Sequence, residues 1–142
     1  MKIKLIAIDL DGTLLQHDHT VSEENIKAIN EAMSNNVEIV ICTGRVFNEI
    51  PKQVKDIKGI NYFITSNGAR IFDKDKNTVF QNTIPKNIAD EIMLLLKKYD
   101  CIIDLYLNGD SYYPKLTDEL IDKHQISEEF IDYIAKFIIE ND

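Results

Sequence analysis

Short apolar runs in the first 68 residues are separated by longer stretches with helical spacing. Residues 5–8 are nearly all apolar and β-prone, which predicts a strand buried on both faces of a parallel sheet. Residues 37–42 and 62–65 are similar runs and predict a second and a third strand. Each run ends in a polar loop that contains glycine, so a ligand is expected at the carboxyl edge of this sheet.

Two helices are predicted between these strands. The first begins at Ser22, a good amino-terminal cap, and has apolar residues at helical spacing up to a stop at residues 35–36. The second has an apolar stripe from Phe47 to Ile57, but Pro51 lies inside it, so this helix is either kinked or begins late. Strands alternating with helices predict an α/β fold with a Rossmann-like parallel sheet.

The pattern changes after residue 68. Residues 69–72 and 78–82 flank a polar turn and predict a hairpin, and a leucine-rich helix is predicted over 87–99. A strand over 101–107 is followed by Asn108-Gly109, a strong two-residue turn signal that predicts a second hairpin. A last helix is predicted over 127–139.

Composition narrows the class of protein. The chain has 142 residues, 44% of them hydrophobic and 28% charged, which predicts a folded core rather than a disordered chain. The net charge of −8 argues against nucleic acid and anionic membranes as partners. The amino-terminal apolar run is too short for a signal peptide or a membrane span, which predicts a cytoplasmic protein. Cys42 and Cys101 are expected to be buried free thiols.

The most informative segment is Asp9-Leu10-Asp11-Gly12-Thr13, directly after the first strand. Two adjacent carboxylates repel each other, and a hard divalent cation such as Mg²⁺ offsets that repulsion. This segment resembles the first motif of the haloacid dehalogenase superfamily. The resemblance implies that Asp9 attacks phosphorus to form an aspartyl phosphate, that Asp11 acts as general acid and base, and that both help to hold Mg²⁺. Gly12 lets backbone amides approach the anion.

Further site residues follow from the same resemblance. Thr43 ends the second strand, where family members use a hydroxyl to bind the transferring phosphoryl group. Gly44 and Arg45 come next, and a guanidinium pairs well with anionic oxygens. Asn67-Gly68 resembles a segment of the cap-bearing Cof-type phosphatases, where Asn67 would orient the substrate or a neighbouring loop; a simple Asn-Gly turn is an equal alternative.

The resemblance implies two domains, a family core over residues 1–82 and part of an α+β cap over residues 83–142. The later family motifs, which supply a lysine and further acids for the metal, are not recognised in the chain. We therefore expect the amino-terminal portion of a phosphatase, with impaired turnover and a core surface that favours self-association. The expected substrate is a small phosphorylated metabolite, either a sugar phosphate or a nucleotide or cofactor phosphate.

Two other functions are alternatives to hydrolysis. The first is a phosphate- or magnesium-binding module that keeps the fold without turnover. The second is a receiver-like domain, which requires an aspartate at the end of the third strand, where this chain has Thr65-Ser66-Asn67.

Several weaker signals are assigned to structure rather than to ligand binding. Residues 73–77 have the alternating oxygens of a calcium loop but lack its glycine and glutamate, so a hairpin turn is preferred. His17 and His19 are assigned to a surface loop, and Gly109-Asp110 to a turn.

Overall fold

The computed structural model describes residues 2–112. Within them the strands are β1 Leu5–Ile8, β2 Glu38–Cys42, β3 Tyr62–Thr65, β4 Arg70–Asp73, β5 Thr78–Gln81, β6 Leu105–Leu107 and β7 Asp110–Tyr112. The α-helices are α1 Glu23–Ser34, α2 Lys52–Lys55 and α3 Lys86–Leu96. A short helical turn covers Phe47–Glu49, and Leu10–Leu14 and Ser66–Gly68 are tight turns with residues outside the helical range of backbone angles.

The main sheet has the strand order β1-β2-β3-β4-β5. The first three strands are parallel, and β4 and β5 continue the sheet as an antiparallel hairpin. The predicted α/β fold with parallel strands joined by helices is therefore confirmed. The strands β6 and β7 form a separate antiparallel hairpin, and its turn at Asn108-Gly109 has φ angles of 54° and 92°, as a two-residue turn of this kind requires.

One face of the sheet forms the core. Ile41, Phe63 and Phe72 are register partners on β2, β3 and β4, so their side chains form a row across the sheet. All three are almost fully buried, and they belong to one cluster with Ile29 of α1 and Val54 of α2. The two helices that connect the parallel strands therefore cover this face.

Helix α1 has the amino-terminal cap that its sequence predicts. Ser22 is the cap residue, and its Oγ accepts a hydrogen bond from the backbone N of Asn25 at 3.1 Å. Val21, the residue before the cap, belongs to the core cluster, and Ile26 in the first turn of the helix is partly buried against that cluster, as in a hydrophobic staple. The helix ends at Ser34, so the predicted stop at residues 35–36 is confirmed.

The Ser22→Ala variant is expected to lower the free energy of unfolding by about 1 kcal/mol, because it removes this cap hydrogen bond. Ser34→Ala is the matched control, since the Ser34 hydroxyl donates to the Glu31 carbonyl at the other end of the helix. The control is expected to change stability by less than about 0.5 kcal/mol. Urea unfolding of both variants measures the difference, and equal losses would contradict the assigned cap.

The second connecting helix begins late, as Pro51 predicts. A short helical turn at Phe47–Glu49 comes first, and Pro51 is the residue before α2. The proline has no N–H to donate, and its fixed φ suits the start of a helix rather than its interior. The predicted apolar stripe is buried on both sides of this break, with Phe47 6% and Val54 0% exposed.

The prediction that β1 is buried on both faces is wrong. Leu5 is 54% and Ile6 36% exposed. The reason is the position of β1 at the edge of the described sheet, where it pairs with β2 alone. An apolar run predicts a strand, but it does not show how many neighbouring strands and helices cover that strand.

Four further predictions differ from the structure or lie outside it. The strand predicted over 101–107 begins only at Leu105, and the leucine-rich helix ends at Leu96. Both cysteines are free thiols, but the prediction that they are buried is wrong, because Cys101 is exposed in the irregular segment before β6. The helix predicted over 127–139 lies outside the described residues.

Within residues 2–112, no helix is both long enough and apolar enough to cross a membrane.

Candidate active site at the carboxyl edge of the sheet

The parallel strands bring three predicted site segments to one edge of the sheet. Ile8 pairs with Ile41, and Cys42 pairs with Ile64, so β1, β2 and β3 end nearly level. Asp9 directly follows β1. Thr43 follows β2, and its backbone N donates to the Ile64 carbonyl at 2.9 Å. The loops after the three strands are therefore neighbours.

The loop after β1 is a closed turn anchored by leucines. The backbone N of Leu14 donates to the Asp9 carbonyl at 3.2 Å, and the N of Leu15 donates to the Leu10 carbonyl at 2.9 Å. Leu10 and Leu14 are 0% and 4% exposed, whereas Asp9, Asp11 and Gly12 are exposed. Gly12 has φ 72°, a left-handed conformation that glycine adopts without strain. The buried leucines thus present the two carboxylates to solvent.

The two aspartates have different surroundings. Within residues 2–112, the Asp9 side chain makes no hydrogen bond or ion pair, whereas Asp11 makes a bidentate contact with Arg45. Arg45 Nε donates to Asp11 Oδ2 at 2.8 Å, and Arg45 Nη2 donates to Asp11 Oδ1 at 2.6 Å. This fork-to-fork geometry is the strongest form of an arginine–carboxylate pair. The contact joins the loop after β1 to the loop after β2.

Arg45 is held on its other side by the backbone. Its Nη1 donates to the Glu49 carbonyl at 3.0 Å, and its side chain is 18% exposed, against 52% for Asp11. The hydrogen bonds from Arg45 hold the pKa of the Asp11 carboxyl below its ordinary value of 3.8, against a smaller opposing effect of burial. Asp11 is therefore kept as a carboxylate.

The Arg45→Gln variant is expected to raise the pKa of Asp11 toward its ordinary value, because the charged donor is lost. The ion pair stabilises the fold above the ordinary pKa, and this contribution is lost as pH falls through the lowered folded value. A ¹³C NMR titration of the carboxyl groups measures the shift. Arg70→Gln is the control, since Arg70 donates to Thr78 and Gln81. An unchanged Asp11 titration in Arg45→Gln would refute the assigned pair.

Thr43, Gly44 and Asn67 form the second part of the site. Thr43 is 4% exposed, and its hydroxyl accepts a hydrogen bond from the backbone N of Arg45 at 3.2 Å. Within the described part of the chain, no acceptor is assigned to the proton of this hydroxyl. A Cβ atom added at Gly44 would lie 3.0 Å from Asn67 Oδ1, so the Asn67 carboxamide packs directly on Gly44. The backbone N of Asn67 also donates to the Thr43 carbonyl at 3.3 Å.

The carboxylates present are chemically suited to Mg²⁺. Magnesium prefers oxygen ligands and is usually bound through one or two carboxylates together with substrate phosphate and water. Asp9 and Asp11 would be two such ligands, and residues 2–112 contain no cluster of three or more His, Cys, Asp or Glu side chains that would form a protein-only cage. A shared metal–phosphate site is the arrangement that this donor set fits. Each Asp11 carboxylate oxygen accepts one hydrogen bond from Arg45 and keeps a second lone pair, which would be available to such a site.

The weaker candidates have structural roles. Asp73 Oδ1 accepts hydrogen bonds from the backbone N of Asp75 and of Asn77, as expected for a hairpin turn. His17 and His19 lie in an exposed loop, and Gly109-Asp110 belongs to the β6–β7 turn, as predicted. The sequence analysis did not identify Glu49 as part of the site. Its contact with Arg45 is made by the backbone carbonyl, which every residue type has.

Comparison with known families supports the resemblance. A profile of the family described as haloacid dehalogenase-like hydrolase matches residues 6–142. The chain belongs to this family. The resemblance to the amino-terminal portion of a Cof-type member is thereby confirmed. The roles of individual residues and the division into domains at residues 82 and 83 stay predictions.

Individual relatives of this haloacid dehalogenase-like chain agree with that membership. Phosphatase YwpJ from Bacillus subtilis is 34% identical over 84% of this chain and 42% of its own length. The 5-amino-6-(5-phospho-D-ribitylamino)uracil phosphatase YcsE of the same organism is 46% identical over 54% of this chain and 31% of its own length. The structure of a haloacid dehalogenase-like hydrolase from B. subtilis matches with a TM-score of 0.72 and 35% identity, covering 85% of this chain and 42% of that one. The chain thus spans less than half the length of these relatives.

Proposed function

We propose that the chain carries the reacting carboxylates of a magnesium-dependent phosphatase. The reaction is hydrolysis of small phosphate monoesters through an aspartyl phosphate, and the substrates are sugar phosphates or nucleotide and cofactor phosphates. The observation that carries the proposal is the Asp9 carboxylate at the end of β1, which is exposed and has no partner among residues 2–112, in one loop with the Arg45-bound Asp11. The names of both B. subtilis relatives support phosphatase chemistry, and YcsE is named for a small phosphorylated compound.

Asp9 is the nucleophile. One of its carboxylate oxygens attacks phosphorus, the bond between phosphorus and the ester oxygen breaks, and the phosphoryl group becomes attached to Asp9. A nucleophile must be accessible and must not be held by a hydrogen-bond donor. Among the described residues, Asp9 meets both conditions and Asp11 does not. The positions of the two side chains therefore favour this division of roles.

Asp11 is the general acid and base. It protonates the leaving oxygen in the first step and takes a proton from the water that attacks the aspartyl phosphate in the second. The lowered pKa of Asp11 favours the carboxylate, so this geometry suits the second step. To act as an acid, Asp11 must first loosen its contact with Arg45, which makes that contact part of the catalytic cycle.

The remaining predicted residues bind the phosphoryl group. Thr43 can donate its hydroxyl proton to a phosphate oxygen, and Gly12 and Gly44 allow close approach of the backbone. Asn67 lies on Gly44 and orients the substrate from the third loop. A Mg²⁺ ion held by Asp9 and Asp11 would neutralise charge on the phosphoryl group and align it for attack. Arg45 orients Asp11 and pairs with phosphate once that contact opens.

The test compares this chain with the full-length B. subtilis phosphatase YwpJ. Hydrolysis of p-nitrophenyl phosphate is measured with and without Mg²⁺, and the formation of a beryllium fluoride adduct is followed by ¹⁹F NMR. We expect a Mg²⁺-dependent adduct on this chain and faster hydrolysis by the longer relative. EDTA should remove both signals, because the carboxylates repel the anion when no metal is present.

The two readouts separate the possible outcomes. An adduct without hydrolysis would assign the chain to phosphate and magnesium binding alone. Hydrolysis that persists in EDTA would refute the metal dependence. If neither chain forms an adduct nor hydrolyses the ester, the proposal is wrong.

A further inference from the structure

The tip of the β6–β7 hairpin is attached to the short helical turn at Phe47–Glu49. The backbone N of Asn48 donates to the Gly109 carbonyl at 3.3 Å, and its side-chain amide donates to the Asp110 carboxylate. The Ser111 hydroxyl donates to Glu49 Oε1 at 2.5 Å, and Ser111 is 6% exposed. Two elements that are about 60 residues apart in the sequence are thus joined by one backbone and two side-chain hydrogen bonds.

Close packing accompanies these hydrogen bonds. A Cβ atom added at Gly109 would lie 3.1 Å from Phe72 Cζ and 3.6 Å from Phe47 Cβ, so the hairpin tip packs directly on the Phe72 ring and beside the Phe47 side chain. The rings contact each other, with centroids 4.9 Å apart. A glycine at the tip therefore allows an approach that a larger residue would prevent.

Glu49 connects this attachment to the proposed active site. Its carboxylate accepts from Ser111, and its backbone carbonyl accepts from Arg45 Nη1 at 3.0 Å. Arg45 in turn holds both carboxylate oxygens of Asp11. A path of hydrogen bonds through a single residue thus links the hairpin to the guanidinium that orients Asp11.

We propose that the hairpin tip is a latch that fixes Arg45 on Asp11, with Glu49 and Ser111 as positioning residues. The segment Phe47–Glu49 is a single helical turn, and a helix this short has little stability without contacts to the rest of the fold. When the hairpin is attached, the Glu49 carbonyl is held toward Arg45. When it detaches, Arg45 loses this anchor and Asp11 is released. The catalytic meaning of the latch depends on the proposed function, whereas its existence does not.

The chain has two arginines, Arg45 and Arg70, which makes a direct measurement simple. In ¹⁵N-labelled protein, their side-chain Nε–H groups give two NMR signals, and Arg45→Lys identifies one by its loss. The readout is the rate of hydrogen exchange at Arg45 Nε–H in the full chain without metal or substrate. This rate reports how firmly the guanidinium is held, and it requires no catalysis.

The variants separate the length of the Glu49 side chain from its charge. Glu49→Asp keeps the charge but is too short to reach Ser111, and Glu49→Gln keeps the length and an acceptor oxygen. We expect Glu49→Asp and Ser111→Ala to accelerate exchange roughly tenfold, the order of effect of one hydrogen bond to a charged group. Glu49→Gln should stay within about threefold of the unmodified chain, because a neutral acceptor is only moderately weaker.

Tyr112→Phe is the matched control, since it removes an exposed hydroxyl from the residue after Ser111. It should leave the exchange rate unchanged. Equal rates in Glu49→Asp, Ser111→Ala and the unmodified chain would overturn the latch, and so would equal acceleration by Tyr112→Phe. Glu49→Asp and Ser111→Ala test the same contact from its two sides, so if one of them fails to fold, an unchanged exchange rate in the other would still overturn the latch. None of these results depends on whether the chain binds phosphate, so a failed latch and a failed phosphatase proposal are distinguishable.

Discussion

The Asp9→Asn variant is expected to reduce Mg²⁺-dependent hydrolysis by at least about 10³-fold, the scale of loss when a covalent nucleophile is removed. The amide has nearly the same shape as the carboxylate, but it has no negative charge to attack phosphorus or bind the metal. The beryllium fluoride adduct should also disappear from the ¹⁹F spectrum. This second readout applies even if the chain itself turns over slowly.

Asp18→Asn is the matched control for this variant. Asp18 is also an exposed acid, nine residues further along, but it accepts hydrogen bonds from Thr20 in a surface turn. Its replacement removes the same charge from the chain without touching the sheet edge, so hydrolysis and adduct formation should stay unchanged. Retention of the adduct in Asp9→Asn, or equal losses in the two variants, would exclude Asp9 as the nucleophile.

Charge at the site explains why a metal belongs in this proposal. The chain carries a net charge of −8, and a phosphate monoester is itself anionic. Arg45 lies at the sheet edge, but its Nε and Nη2 already bond to Asp11. Phosphate binding beside two carboxylates would therefore need a further source of positive charge, which a divalent cation would supply.

The sequence predicted the placement of the site better than its internal contacts. Asp9 and Thr43 were expected at one edge because parallel strands end together, and the register of β1 with β2 confirms that both follow level strand ends. The sequence also predicted the cap at Ser22 and the late start of helix α2 after Pro51, since each depends on a local property of one residue. Local rules suffice wherever the neighbours in space are neighbours in sequence.

The contacts that the sequence missed depend on distant parts of the chain. Arg45 was expected to face phosphate, and the structure pairs it with Asp11, which lies 34 positions earlier. The roles of the Glu49 carbonyl and the Ser111 hydroxyl depend on the packing of the β6–β7 hairpin against the core, which the sequence does not predict. The exposure of Leu5 was missed for a similar reason, because strand composition does not reveal an edge.

The Phe63→Ala variant is expected to lower the free energy of unfolding by about 3–5 kcal/mol, the usual cost of removing a buried aromatic ring. Phe63 is 1% exposed, and its ring meets Phe47 edge to face with centroids 5.4 Å apart. Edge-to-face pairs of this kind add to the energy of burial. A small domain has only about 5–15 kcal/mol of stability in total, so this loss should shift the urea midpoint strongly.

Tyr62→Ala is the control on the same strand. Tyr62 is 43% exposed and points to the opposite face, so its loss is expected to cost less than about 1 kcal/mol. Comparable losses in the two variants would contradict a core on the face of the sheet that Phe63 shares with Ile41 and Phe72.

Because Phe47 also begins the turn that carries Glu49, Phe63→Ala should accelerate exchange at Arg45 Nε–H even where the chain stays folded. Stability of the aromatic core and orientation of Asp11 would then be linked through one short turn.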